Sequence, residues 1–397
     1  MSRALIPVLF AVFLDLLGFG LVIPLLTFYA EDYGATPVQV TLLMAVYSLA
    51  QLIFAPVWGS MSDRVGRRPV LLVSIAASAV FLAGFAAAPS LLLLFVFRGL
   101  HGACAANVST AQAAVADLTT PEKRAAGMGL IGASFGIGFT LGPWMGGELS
   151  RYGYAFPIWV AAGLAALNFL LALFMLPETR KPGQQSERNV RTLDPRRFIE
   201  VASHPVVGLC VVLTFVMTVA FALMESSFTL FAEHVRGLDA PTVGRYFGVA
   251  GLVMIIVQGG LIGRLVKRFG EVPLVPVGLS LLAIGLALLP FAPPPVMMVT
   301  VFVIIAIGQG VSTPSLQALI SKGTSPDEQG FVMGTNQSMS ALGRVIGPSI
   351  SGVIYLHLGE SMPFLVAAGL LVLALLLSVP ALRRWRTGKA AAAGLTA

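Results

Sequence analysis

Four charged residues sit deep inside apolar runs of this 397-residue chain: Asp15, Arg98, Glu225 and Arg344. At mid-bilayer depth each such group costs about 2.5–3.5 kcal/mol, so a charge placed there needs a reason. Two acids and two bases sum to zero, which suits interior pairing or a wet cavity rather than exposure to lipid. A carboxylate held away from water is also the group type that can load and release a proton. Asp15 and Glu225 both qualify, the latter flanked by Phe221 and Phe228. A purely structural pair of salt bridges is the plainer alternative. His101 lies one helical turn after Arg98 and could relay protons, although its polar neighbours Asn107, Ser109, Thr110 and Gln112 suit a merely hydrogen-bonded histidine equally well. Gln309, Asn336 and Gln337 are further cavity-lining candidates, or bonds between helices. Arg344 belongs to no assignable motif.

The elements that must position these groups follow from composition. Hydrophobic residues make up 57% of the chain and charged residues 11%, against about 25% charged in a soluble domain. A water-facing surface cannot be built from so few charges, so the chain reads as an integral membrane protein. A helix needs about 20 apolar residues to cross the hydrocarbon. Such stretches fall near 4–30, 39–61, 69–88, 91–116, 124–148, 155–177, 204–232, 241–266, 272–291, 295–320, 328–356 and 362–382, here called spans 1 to 12. The longest polar interruption, 178–203, divides them six and six. Expected domains are thus an N-terminal bundle (1–177), a cytoplasmic linker (178–203), a C-terminal bundle (204–382) and a basic cytoplasmic tail (383–397).

Most of the 25 Lys and Arg residues fall on the side of the termini, among them Arg64, Arg67, Arg68, Arg180, Lys181, Arg264, Lys267, Arg268 and Arg383. By the positive-inside rule both termini are cytoplasmic. Topology therefore explains the net charge of +7, and nucleic acid is not needed as a partner. Cys104 and Cys210 lie in apolar runs and form no disulfide framework or zinc pattern. His101, His204, His234 and His357 are scattered, so no metal is expected. Gly132-Ala133-Ser134-Phe135-Gly136 spells a hydrolase elbow but within a membrane helix, without strand, turn and helix around it. There is no phosphate-binding loop for ATP; an enzyme is not expected, and no cofactor.

The two halves repeat. At an offset of 205 residues Gln112, Thr119, Pro121, Gly129, Gly142, Pro143 and Gly147 match Gln317, Thr324, Pro326, Gly334, Gly347, Pro348 and Gly352. A duplicated six-helix unit follows. Between spans 2 and 3 the sequence reads Gly59-Ser60-Met61-Ser62-Asp63-Arg64-Val65-Gly66-Arg67-Arg68-Pro69. Gly59 would allow close helix approach and Gly66 a tight turn, with Asp63 available to pair with an arginine. Its counterpart, Gly263 to Gly270, has Lys267 in place of the acid, which suggests that the first copy does the gating. In span 5, Gly138, Gly142 and Gly146 recur every four residues as a ridge free of side chains, with Pro143 beside it. Gly347 and Pro348 repeat the pair in span 11, so a hinge or sliding contact is expected.

The Gly-x-x-x-Asp-Arg-x-Gly-Arg-Arg pattern resembles the signature of the major facilitator superfamily. Arg98-Gly99-Leu100-His101-Gly102 in span 4, Asp15 to Pro24 in span 1 and Gly138 to Gly147 in span 5 resemble its twelve-span drug:proton antiporters, tetracycline and multidrug efflux proteins among them. The resemblance implies an all-α integral membrane fold of twelve transmembrane helices in two pseudo-symmetric six-helix bundles. It further implies a role for Arg98 in proton transfer and for Asp15 in substrate or proton handling. Export of an amphipathic organic compound or drug in exchange for protons is the expectation, by a monomer in a bacterial inner membrane. Its partners would be the small molecule, protons and membrane lipids, with antibiotic resistance as the outcome. Asp63, Arg64, Arg67, Arg68 and Asp117 would latch the cytoplasmic side. The alternatives are a lipid, lysolipid or other solute transporter on the same fold, or a non-transporting receptor.

Overall fold

The computed structural model describes residues 5–105, 107–119, 121–179, 204, 206–325 and 328–394. The linker expected at 178–203 therefore lies almost wholly outside the described residues, as do the side chains of the basic tail. Among the described residues the chain is helical and contains no strand. Ten helices among the described residues are long and apolar enough to cross a membrane, including Leu5–Glu31, Pro37–Val65, Arg67–Ala86, Leu91–Leu118, Ala155–Met175, Val207–His234 and Ala240–Phe269. Helix Pro121–Leu149 occupies span 5, and the apolar section Met362–Ser378 of the last helix occupies span 12. Helices are the required answer here, because hydrocarbon offers backbone N–H and C=O groups no partner outside their own segment.

Local chemistry sets the ends. Thr36 and Gln39 form a reciprocal capping box ahead of Pro37 at the start of span 2. Ser90 accepts from the Leu93 N–H to start span 4. The duplication reappears in the turns: among the described residues six have positive φ, all glycines, and they fall into three pairs, Gly34 with Gly237, Gly66 with Gly270 and Gly153 with Gly359. Each pair precedes equivalent spans, 2 and 8, 3 and 9, 6 and 12.

Contacts divide the chain into two compact units, Met1–Glu187 with Phe228–Leu252, and Arg188–Ser227 with Val253–Ala397. The partition passes through spans 7 and 8, so the C-terminal part of span 7 and the N-terminal part of span 8 pack with the first six spans. In the first unit, span 1 is the centre. A Cβ added to Gly142 would lie 2.7 Å from Gly20 Cα, and one at Gly146 would lie 2.4 Å from the Leu21 carbonyl oxygen. The predicted ridge is thus a backbone-to-backbone seam between spans 1 and 5. Asn168 ties span 6 to span 1 by donating to the Ala11 carbonyl at 2.9 Å. The second unit repeats the seam between spans 7 and 11, where Gly343 meets Thr218 and Val219, and Gly347 meets Val219, Ala222 and Leu223. Ser351, in the register of Gly146, donates to the Leu223 carbonyl there at 3.2 Å.

Overpacking at such a contact costs about 1–3 kcal/mol. Gly142→Ala should therefore lower the melting temperature of purified protein in detergent. Gly163→Ala, where no atom lies within 4 Å of the added carbon, should leave it unchanged. Equal melting of the two variants would show that the seam is not close-packed.

Candidate transport site and its latches

Span 4 is the helix that builds the site, because it is broken. Helix Leu91–Cys104 stops and a second helix, Asn107–Leu118, takes over. Three side chains from spans 2 and 3 satisfy the carbonyls at the end of the first segment. Trp58 Nε1 donates to Ala103 O at 2.6 Å, Gln51 Nε2 to Ala105 O at 3.4 Å and Ser74 Oγ to Cys104 O at 2.5 Å. Irregular backbone at membrane depth is tolerated only under such cover.

The break presents Asn107 to span 1, where its amide donates to Asp15 Oδ1 at 2.5 Å. Asp15, Phe19, Tyr47 and His101 together line a small pocket, closed by Gly18, Leu82, Ala161 and Ala165. Arg98 is buried, 3% exposed, with its guanidinium 4.5 Å from the Tyr47 ring centre and 5.6 Å from that of Phe19. The Tyr47 and His101 rings meet edge to face at 5.1 Å. Arg98 and Asp15 thus do not pair as the charge balance suggested: among the described residues no ion pair joins them. Aromatic faces hold the cation, and an amide holds the acid. Arg98 Nε and Nη1, His101 Nδ1, Asn107 Oδ1 and Thr110 Oγ1 have no hydrogen-bond partner among the described residues. Buried groups in that state carry a desolvation penalty that a proton, water or ligand relieves. Gln112, also on span 4, is half-buried and does not line the pocket.

In the second unit, Arg344 on span 11 acts electrostatically on Glu225 of span 7, so here an acid and a base do come together. Asn336 is buried at 3% exposure, and its Oδ1 and Gln309 Oε1 are likewise without a partner among the described residues. Gln337, on the same helix, is exposed.

The latch motif is assembled around Arg67. Its Nη1 meets Asp63 Oδ1 at 2.7 Å, and its Nε meets Asp117 Oδ2 at 3.1 Å. Gly66 adopts φ +113, so the chain turns and span 3 begins at once with Arg67. The turn exposes the first N–H groups of that helix, and Glu178 caps them: Arg67 N donates to Oε1 at 3.0 Å, Arg68 N to Oε2 at 3.2 Å. Arg68 also donates to the Leu173 carbonyl at 2.7 Å. Two expectations need correction. Arg64 is exposed and forms no ion pair among the described residues, because the helix points it away from Arg67's partners. Gly59 makes no close approach, since nothing lies within 4 Å of where its Cβ would stand. Sequence reasoning assigned Glu178 to the linker; the signal for its role was a lone carboxylate directly after span 6.

A second set of contacts in the first unit, between spans 1, 5, 7 and 8, was not foreseen. Arg245 reaches Glu148 at 2.6 Å, and Gly147 of span 5 packs on Ala240, Pro241 and Gly244 of span 8. Gly244, Gly248 and Gly251 give span 8 a small-residue face against Pro143, Trp144 and Thr140, a spacing legible in sequence. His234 Nε2 meets Glu31 Oε1 at 3.0 Å, and Glu31 hydrogen bonds to Glu233. His234 is therefore not isolated, as its sequence position suggested: carboxylates stand beside it, and Glu233 Oε2 is buried without a hydrogen-bond partner among the described residues. Nearby, Asp239 caps span 8, and the hydrogen bonds it accepts from Thr242 hold its carboxyl below the usual range.

A duplicated helical bundle with a broken helix beside an intramembrane acid, and ion pairs near the helix ends, fits a polytopic membrane transporter. The Major Facilitator Superfamily model matches residues 8–262 and 259–396, and the chain belongs to that superfamily. It is a multi-pass integral membrane transporter rather than an enzyme. It is 33% identical over 390 residues to the tetracycline resistance protein, class C, of Escherichia coli, covering 96% of this chain and 97% of that one. Multidrug resistance protein 2 of Bacillus subtilis is 27% identical over 393 residues, with 97% and 95% covered. Among solved structures, the human organic anion transporter MFSD10 (TETRAN) superposes with a TM-score of 0.73 at 27% identity, over 95% of this chain and 100% of that one.

Arg67 keeps one carboxylate if either Asp63 or Asp117 is neutralised, and none if both are. Asp63→Asn and Asp117→Asn should each slow turnover several-fold, and the double variant should lose more than the product of the two, as expected within one ion network. Simple multiplicative losses in a transport assay would show that the two acids act separately.

Proposed function

We propose that the protein exports an amphipathic organic compound or drug in exchange for protons, by alternating access. The observation that carries this reading is the Asp15–Asn107 bond at the break in span 4. An acid is held there by a single neutral amide, next to buried Arg98 and His101 with unused hydrogen-bonding atoms. That is a place where a proton and a polar part of a substrate compete for one carboxylate. The apolar and aromatic lining, Phe19, Tyr47 and Leu82, suits an amphipathic cargo. The relatives named for tetracycline and multidrug resistance support an antibiotic or drug as that cargo.

In this scheme substrate enters from the cytoplasm or inner leaflet while Asp15 is ionised. The two bundles rock about the site, a proton from outside displaces the substrate, and the protonated carrier returns. Glu225, set against Arg344, is the second acid that can take the coupling proton. The Arg67 network closes the cytoplasmic side, and the Glu148–Arg245 contact the outer side. Both termini are cytoplasmic, the membrane is the bacterial inner membrane, and the protein works as a monomer without a cofactor. The proton gradient suffices as the source of energy. A potential of about 100 mV contributes about 2.3 kcal/mol per charge, and one pH unit about 1.4 kcal/mol. Together they sustain a cargo gradient of about a few-hundred-fold.

The test uses everted vesicles energised to an acid interior, with a fluorescent dye reporting the pH gradient. Tetracyclines, lipophilic cations and lysolipids are added in turn. A tetracycline or lipophilic cation should collapse the gradient with wild type and not with Asp15→Asn. Response to lysolipids alone would assign the cargo to lipid. Collapse that persists in Asp15→Asn and Glu225→Gln, singly and combined, would remove both acids from coupling.

A further inference from the structure

The second copy of the latch motif looks decayed only if the same residues are required. At three positions it is charge-inverted, although Arg64 and its counterpart Arg268 keep the same sign. Asp63, Arg67 and Asp117 of the first half correspond to Lys267, Glu271 and Lys322 of the second. Gly66 and Gly270 fix the first two correspondences, as equivalent turns with positive φ. Thr119 and Thr324 fix the third, in the repeat register that also pairs Gln112 with Gln317. The contact survives the inversion: Lys322 forms an ion pair with Glu271, as Asp117 does with Arg67. The exposure pattern survives as well. The residue starting span 3 or 9 is covered, with side chains 13% and 14% exposed for Arg67 and Glu271, and its partner on span 4 or 10 is more open. Lys267 stands exposed four residues before Glu271.

A physical reason for the reversed sign lies at the helix start. The N-terminus of a helix favours an anion. In the first half Glu178 supplies it to span 3, which leaves position 67 free to be a cation. At the repeat offset the position equivalent to Glu178 falls on Arg383 or Arg384, so an arginine stands where the first half has its capping acid. The anion must then come from the first residue of span 9 itself, which is Glu271. Once that residue is acidic, both its neighbours in the node must be basic.

We propose that Lys267, Glu271 and Lys322 form a working latch node of opposite polarity, in which Glu271 positions the end of span 10 as Arg67 positions the end of span 4. The proposal goes beyond the export reading and does not depend on the identity of the cargo.

The experiment uses the full chain in vesicles, with Cys104→Ala and Cys210→Ala and one added cysteine at half-buried Thr324, or at its counterpart Thr119 as control. The rate of labelling by a maleimide is read in each. Glu271→Lys and Lys322→Glu should each raise labelling of the Thr324→Cys probe about three- to fivefold and leave the Thr119→Cys probe unchanged. The double variant Glu271→Lys/Lys322→Glu should return it most of the way, but not wholly, since it leaves span 9 starting on a cation. Lys322→Arg should match wild type. If a single variant fails to reach the membrane, recovery of expression in the double variant supports the pairing, and its absence overturns it. Labelling unchanged in the single variants, or equally raised in single and double, overturns the proposal. Because the readout needs no substrate, a negative vesicle screen for drugs leaves this result standing.

Discussion

Hydrocarbon accepts no hydrogen bonds, and the rest of this structure follows from that constraint. It makes every span a helix, and it makes any interruption of a helix depend on donors brought from elsewhere. The break in span 4 exists because Trp58, Gln51 and Ser74 are in place to take up its carbonyls. The same constraint leaves Asp15 with one amide donor and Arg98 with two aromatic rings. A polar site in a membrane is therefore built outside-in: the cover on spans 2 and 3 decides where irregular backbone can be, and the irregular backbone decides what faces the acid.

Duplication gives the two halves the same turns and seams, yet not the same chemistry. Gly138, Gly142 and Gly146 on span 5 become Gly343, Gly347 and Ser351 on span 11, so one close backbone contact becomes a side-chain hydrogen bond. In the first half the intramembrane acid bonds an amide; in the second, Glu225 faces the arginine Arg344. Two acids in such different settings are not interchangeable, which gives the halves distinct parts to play within one symmetric frame.

Much of this was legible in the sequence. Hydropathy and charge marked the spans, identities at an offset of 205 marked the duplication, and the Asp63–Arg67–Asp117 network is the one expected from the motif. What escaped was what depends on residues far apart in sequence. The break at Ala105 has no proline to announce it, since its cause lies on spans 2 and 3. Arg98 and Asp15 balance in charge and still take separate partners, because ring faces and an amide are closer to hand. Glu178 reads as the start of a linker until the N-terminus of span 3 is seen beside it. Arg64 and Gly59 show the converse error: membership in a motif says nothing about which face of the helix a residue occupies.

The seam between spans 1 and 5 has a consequence for how the protein can change over generations. Every amino-acid substitution at a glycine codon adds at least one carbon, and at Gly20, Gly142 and Gly146 that carbon meets backbone. Backbone cannot swing aside as the end of a side chain can, so no single nucleotide change adjusts this contact gently. Change in this unit is then channelled away from the seam and onto pocket side chains such as Phe19, Tyr47 and Leu82, where size and polarity can shift in small steps. The glycines hold the frame constant while the lining beside them remains open to selection.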